Sequence, residues 1–203
     1  GIRGYLKNIQ NLKMTLKNNN FDIIHFHYGT AALLSLFIKT KIPIIISFMG
    51  DDILGSKNSF GKITFASRIL VFLSNLLSKY KANFSIVKSE EMSEKLLYTY
   101  KKIVIPNGVN LAEFHFMDKQ SCRKELGLDS NSKIVLFAAD PGRAEKNFPL
   151  AEMAIKHLKM ERIELLNVYG LHQKKLVLYY NASDCIILTS THEGSPNVIK
   201  EAM

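Results

Sequence analysis

Short apolar runs, too brief for ordinary helices, recur along the chain with a helix-length stretch between most neighbours. They are Phe21 to His27, Ile42 to Phe48, Phe84 to Val87, Lys102 to Ile105, Lys133 to Ala139, Ile163 to Val168 and Cys185 to Leu188. Their β-branched and aromatic residues suit a pleated surface. Between them, apolar residues fall at helical spacing. Tyr5, Ile9, Leu12 and Leu16 mark a first helix that Asn18-Asn19-Asn20 stops, and others are expected over Ala31 to Lys39, Phe60 to Tyr80, Glu90 to Tyr98, Asp118 to Leu126, Pro149 to Lys159 and Gln173 to Tyr180. A strand, a helix and a strand in that order imply a parallel pair. The expected fold class is therefore α/β.

Pro106-Asn107-Gly108-Val109 is the strongest breaker cluster. It suggests two domains, 1–105 and 106–203, which 203 residues can supply. An apolar content of 47% and a mean hydropathy of +0.01 fit a soluble chain with a real core. No run reaches the ~18 apolar residues of a membrane span, and no signal peptide is visible at the start. Cys122 lies in a polar stretch and Cys185 in a buried-looking strand, with neither zinc spacing nor a disulfide pattern. A reducing cytoplasm is the expected setting. The balance of 27 basic to 18 acidic residues, a net charge of +9, would attract nucleic acid, an anionic membrane or a phosphorylated small molecule. Without a basic run or a recognisable nucleic-acid motif, nucleic acid is not an expected partner. The helix from Phe60 to Tyr80 has a basic cast from Lys57, Lys62, Arg68, Lys79 and Lys81. It could lie on an anionic bilayer or, as such helices more often do, pack into a core.

The last stretch carries the densest chemistry. Glu193 and Glu201 straddle a loop that follows an apolar strand and turns into a helix, and loops at the carboxyl ends of strands are where open α/β sheets bind ligands. Ser195 suits an N-cap and Pro196 the first helical position, which puts Asn197 and Glu201 on one face and leans Glu201 toward the loop of Glu193. Free amides at that helix start would favour an anion. Earlier, Asp140-Pro141-Gly142-Arg143-Ala144-Glu145-Lys146-Asn147 leaves the carboxyl end of another strand with two cations three residues apart. His25 and His27 close an early strand and are expected on alternate sides, one toward a ligand and one packed. They could suggest a metal, but no third ligand is evident.

The wording Glu193-Gly194-Ser195-Pro196-Asn197-Val198-Ile199-Lys200-Glu201-Ala202-Met203, with the Pro-Asn-Gly-Val linker and the Arg-x-x-Lys-Asn loop, resembles the Glu-x7-Glu motif of retaining GT-B-type glycosyltransferases of the "group 1" superfamily. That resemblance implies two facing Rossmann-like domains with parallel sheets, both incomplete in this chain. It implies an acceptor-side domain over 1–105 and a nucleotide-sugar domain over 106–203. Arg143 and Lys146 match the diphosphate-binding pair, Glu193 the residue that addresses the donor sugar, and Glu201 the one that accepts from ribose hydroxyls. Gly194, Ser195, Pro196 and Asn197 match the segment that approaches the sugar and phosphate.

Acceptor-side candidates are His27, Gly29, Thr30, Gly50, Asp51 and Asp52. Many relatives carry a histidine where this chain has Met49, so that role does not carry over, and Asp51 or Asp52 is expected to meet a substrate hydroxyl instead. The implied function is transfer of a hexosyl unit from a nucleoside-diphosphate sugar to a glycan or lipid-linked glycan in bacterial surface polysaccharide synthesis, with no metal cofactor. The enzyme would be cytoplasmic or peripheral at the inner face of the membrane. The alternatives are a nucleotide-sugar epimerase of similar architecture and a non-catalytic module that binds nucleotide sugar or a partner chain.

Overall fold

The computed structural model describes residues 2–56, 62–158 and 161–203. These form two compact units that divide between Pro106 and Asn107. In the first unit, helix α1 (Ile2–Asn18) precedes strand β1 (Ile24–His27), and α2 (Gly29–Ala32) runs into a 3-10 turn (Leu33–Phe37). Strand β2 (Ile44–Ser47), helices α3 (Asp51–Leu54) and α4 (Phe65–Tyr80), strand β3 (Phe84–Val87), helix α5 (Glu90–Lys95) and strand β4 (Lys102–Val104) follow. The sheet runs β1-β2-β3-β4 with every pairing parallel. Ile24, Phe26, Ile46, Phe48, Val87, Met92 and Leu96 are among the buried residues of its core.

Several helices are shorter than their periodicity predicts, for local reasons. The stretch over Ala31 to Lys39 is one helical turn followed by the 3-10 turn. Helix α4 starts at Phe65, capped by Thr64, whose hydroxyl accepts from the Ser67 amide at 3.3 Å. The expected start at Phe60, and Lys57, lie outside the described residues. Helix α5 ends at Lys95 because the chain is drawn away: the Leu97 amide donates to Asn75 Oδ1 at 2.8 Å.

The second unit comprises α6 (Lys119–Leu126), β5 (Lys133–Phe137), a 3-10 turn (Ala144–Lys146), α7 (Phe148–His157), β6 (Ile163–Asn167), α8 (Gln173–Ala182), β7 (Cys185–Ile186) and α9 (Asn197–Ala202). Lys159, the expected end of the helix that starts near Pro149, lies outside the described residues. The sheet order is β6-β5-β7, again parallel. Central β5 is the most buried, with Ile134 and Leu136 fully enclosed. The cysteines reverse their expected settings: Cys122 is buried on α6, and Cys185 is exposed on a strand paired on one side only.

A single buried cation knits this unit together. Arg123 on α6 donates to the carbonyls of Ala182 (2.8 Å), Ser130 (2.8 Å) and Ser132 (3.0 Å) and to Asp184 Oδ2 (2.8 Å). Asp184 in turn accepts from the Ile134 amide at 2.7 Å and from Lys119 at 3.1 Å. Helix α6, the turn before β5 and the start of β7 are thereby fixed to one another. Partial burial pushes the Asp184 carboxyl up, but the Ile134 amide and the charges of Lys119 and Arg123 outweigh it and hold the group below the usual carboxylate range.

Arg123→Met should lower stability by about 3 to 5 kcal/mol, because it strands a carboxylate and several carbonyls. Urea unfolding measures this. The stability that Asp184 contributes is present above its unfolded pKa of about 3.9 and lost as pH falls through its lower folded value. Asp184→Asn should therefore flatten the acid limb of the stability curve, read by unfolding midpoints across pH.

Candidate active site

In the second unit, the loop after β5 and the segment after β7 are stitched along their backbones. The Thr189 hydroxyl shares its one proton between the carbonyls of Lys146 and Asn147, both at 2.9 Å, and the Thr191 amide donates to the Glu145 carbonyl at 2.9 Å. Asn147 holds a left-handed conformation (φ 51°) that turns the chain into α7, a region asparagine enters more readily than most residues. This frame brings two sequence-predicted residues together. Lys146 Nζ donates to Glu193 Oε1 at 2.6 Å, with both side chains largely enclosed.

Arg143 is on the same loop but more exposed, and its Nε donates to Glu145 Oε1 at 2.6 Å. Glu145 was not singled out from the sequence, although it lies two residues from Arg143. The loop thus presents a planar, forked cation beside a compact one, a pair suited to phosphate oxygens.

The segment from Gly194 differs from expectation. Helix α9 begins at Asn197, with Pro196 in the capping position and no side-chain cap, so Ser195 does not cap it. The Ser195 hydroxyl is instead drawn to the Pro-Asn-Gly-Val segment: it accepts from the Asn107 amide at 3.2 Å and from the Lys200 ammonium. Lys200 also donates to the Asn107 carbonyl at 3.0 Å. Glu201, expected to lean toward Glu193, is held by α8, where the Tyr180 hydroxyl donates to its Oε2 at 2.9 Å. Burial first, and then this carboxylate, push the Tyr180 phenol well above its ordinary range. Gly194 and Asn197 are accessible at the surface of this segment.

In the first unit, Asp52 is fully buried. Its carboxylate accepts from the amides of Gly29 (2.8 Å), Met49 (3.0 Å) and Gly50 (2.9 Å). Burial pushes the group up and these amides pull it back. Asp52 therefore ties the loops after β1 and β2 and does not present itself to a substrate, which leaves Asp51 for the expected hydroxyl contact. Gly29 admits no side chain: a Cβ there would lie 2.5 Å from Ser74 Oγ and 3.1 Å from Asp52 Cβ. Tyr28, just before it, is bent to φ 81°, a costly conformation for a bulky residue.

Thr30 is exposed, and its carbonyl accepts from the Tyr5 hydroxyl at 3.0 Å. Asp51 is partly buried at the start of α3, next to Gly50, whose φ of 154° and ψ of −85° suit glycine. His25 and His27 share one side of β1, with ring centroids 4.1 Å apart. The alternate placement expected of them fails because residues two apart on a strand face the same way. His25 Nε2 also meets Ser47 Oγ at 2.8 Å. Partial burial, then the charges of His27 and Lys88, hold His25 below the ordinary histidine range. Among the described residues, no three His, Cys, Asp or Glu side chains group to hold a metal.

A sequence profile for Glycosyltransferase Family 4 matches residues 1–113, more than half of the chain. The chain belongs to Glycosyltransferase Family 4. It is 24% identical, over 90% of its length, to TuaC of Bacillus subtilis (strain 168), named for a glycosyltransferase of teichuronic acid biosynthesis, and it covers 50% of that protein. Among solved structures, it matches sucrose-phosphate synthase from Thermosynechococcus elongatus with a TM-score of 0.69 at 16% identity, covering 97% of this chain and 57% of that one. It matches Anabaena HepE in complex with UDP with a TM-score of 0.64 at 18% identity, covering 97% and 59%. At such identity these likenesses carry the fold alone: α/β with parallel sheets, as in GT-B glycosyltransferases. The chain spans a little over half the length of these structures and half that of its curated relative.

The carboxylate at position 52 gives this family member a direct test. Asp52→Ala leaves three backbone amides without their acceptor, at about 1 to 3 kcal/mol for each buried orphan. Asp52→Asn keeps one oxygen and should lose less. Unfolding curves of the two variants should rank wild type above Asn above Ala.

Proposed function

We propose that the protein transfers a hexosyl unit from a nucleoside-diphosphate sugar to a glycan or lipid-linked glycan, with retention, in bacterial surface polysaccharide synthesis. The observation that carries this reading is the 2.6 Å contact of Lys146 with Glu193, on the loops that follow β5 and β7. It sets a cation and a carboxylate side by side, with Arg143 on the same loop. Transfer from such a donor builds negative charge on a departing diphosphate and positive charge on the sugar. Fixed cations beside the leaving group oppose the first, without reorganisation at the moment of reaction.

In this reading Arg143 and Lys146 hold the diphosphate, and the chemistry calls on no metal. Glu193 addresses the sugar hydroxyls, and Glu201, braced by Tyr180, accepts from the ribose. Gly194 lets the backbone approach, with Ser195, Pro196 and Asn197 completing the donor segment. The second unit then serves the donor. The first serves the acceptor, through His27, Thr30 and Asp51, with the buried Gly29 and Gly50 shaping the loops through their amide hydrogen bonds to Asp52. No carboxylate stands out as a nucleophile for a double displacement, so attack on the same face, assisted by the leaving phosphate, is the favoured route. Family membership supports this reading, as do the role in TuaC's name and HepE's complexes with UDP and UDP-glucose. The enzyme would work in the cytoplasm, at the inner face of the membrane.

Thermal shifts of the full-length protein with UDP, GDP, ADP and their common sugars should show stabilisation by one nucleotide. Lys146→Ala should lose that shift and reduce transfer by roughly 10² to 10³. No shift in a folded protein, or undiminished transfer by the variant, would sink the donor assignment. An inverted anomer in the product NMR spectrum would sink retention alone.

A further inference from the structure

Helix α4 divides its apolar residues: Leu77 is buried and Leu70, Val71, Leu73 and Leu76 are half-buried, while others face outward. Its buried side carries Ser67, Ser74, Asn75 and Ser78, with Leu77 the one large apolar residue fully enclosed. This polar side is used for close fastening: Ser67 Oγ accepts from the Ser56 amide at 2.7 Å, Ser78 meets Ser85 at 2.8 Å, and Asn75 holds Leu97. The opposite side carries Phe65, Ile69 and Phe72 at helical spacing, exposed by 78%, 45% and 56%. Leu97 and Tyr98, just beyond α5, are also exposed. They join Phe72 and Arg68 along a groove of about 490 Å³. An apolar stripe of this extent, turned outward while serines are turned in, marks a contact surface.

The charges around the stripe select its occupant. Helix α4 has no acidic residue, and Arg68 and Lys79 flank the stripe. The Lys79 ammonium sits 5.0 Å from the Tyr80 ring centroid and 5.4 Å from that of Tyr98. Aromatic rings with a cation over their faces suit the boundary between acyl chains and headgroups. Acidic groups are present on α5, but Glu91 is paired to Lys95 at 2.7 Å, which leaves Glu94 as the groove's own carboxylate. A two-fold dimer through the stripe would bring the Arg68 and Lys79 cations of the two copies together, whereas anionic headgroups complement both.

We propose that the outward face of α4, with Leu97 and Tyr98, seats the protein on an anionic phospholipid bilayer. The contact is interfacial: among the described residues no helix is long and apolar enough to cross a membrane. The inference rests on the reading of a lipid-linked acceptor for its purpose, while its test is independent of the donor site.

The test is co-sedimentation of the full-length protein with vesicles of phosphatidylglycerol and phosphatidylcholine, beside vesicles of phosphatidylcholine alone. Wild type should partition onto the anionic vesicles. Phe65→Ser with Phe72→Ser should weaken this roughly tenfold or more, and Arg68→Glu with Lys79→Glu should abolish the preference for anionic lipid. All three proteins should unfold at similar temperatures, because the altered residues are exposed. Absence of wild-type binding, or undiminished binding by the phenylalanine variant, would overturn the proposal. So would a stripe that only holds a dimer, seen as a monomeric phenylalanine variant without any vesicle effect. A nucleotide-induced thermal shift that survives such failure would leave the donor reading intact, and the reverse pattern would separate the two the other way.

Discussion

Every strand pairing among the described residues is parallel, and much of the structure follows from that constraint. Parallel neighbours cannot be joined by a hairpin, so each connection crosses the sheet and the loops leaving the carboxyl ends collect on one edge. In the first unit that edge receives the loops after His27 and Ser47, and in the second those after Phe137 and Ile186. Each loop begins where ladder hydrogen bonds cease, so its backbone groups need partners elsewhere.

The two units meet this need with different chemistry. Asp52 gathers three amides with one carboxylate, and a glycine at position 29 lets the backbone come that close. On the second unit's edge, the Thr189 hydroxyl meets two carbonyls and Lys146 meets Glu193. Arg123 performs the inverse of Asp52's task elsewhere in the second unit, gathering carbonyls with one guanidinium. A buried charge is costly unless its hydrogen-bonding capacity is filled. Here each is filled largely by backbone, so changing the side chain disturbs several segments together.

The fold class was legible because alternation of β-branched runs with helical spacing is a local property. So was the loop of Arg143 and Lys146, since a strand and a breaker frame it. Partners distant in sequence were not legible. Ser195 has the composition of an N-cap, but Asn107, 88 positions away, and Lys200 claim its hydroxyl, and the helix starts later as a result. Tyr180 gave no sign of its bond to Glu201, because a tyrosine at a helix end is equally at home in a core. Asp52 read as a substrate-facing acid for the same reason: sequence spacing reveals that a carboxylate lies in a turn, not whether the turn closes over it.

Helix α4 shows the limit most clearly. The stripe legible in the sequence, Ile63, Ala66, Ile69, Leu70, Leu73, Leu76 and Leu77, normally finds a core, and its leucines are buried or half-buried, but Phe65 and Phe72 were not part of it. Periodicity establishes that a helix has an apolar face, but what lies against that face depends on the other side as well. Ser67, Ser74 and Ser78 recur at spacings of seven and four residues and form a stripe of their own. Small hydroxyl side chains permit close approach and find partners in Ser56 and Ser85. Once the serine side is seated, the helix cannot also turn Phe65 and Phe72 inward, because residues on opposite sides of a helix cannot face the same neighbour. The aromatic residues are therefore outward by geometry, and the same serines that seat the helix leave that face exposed.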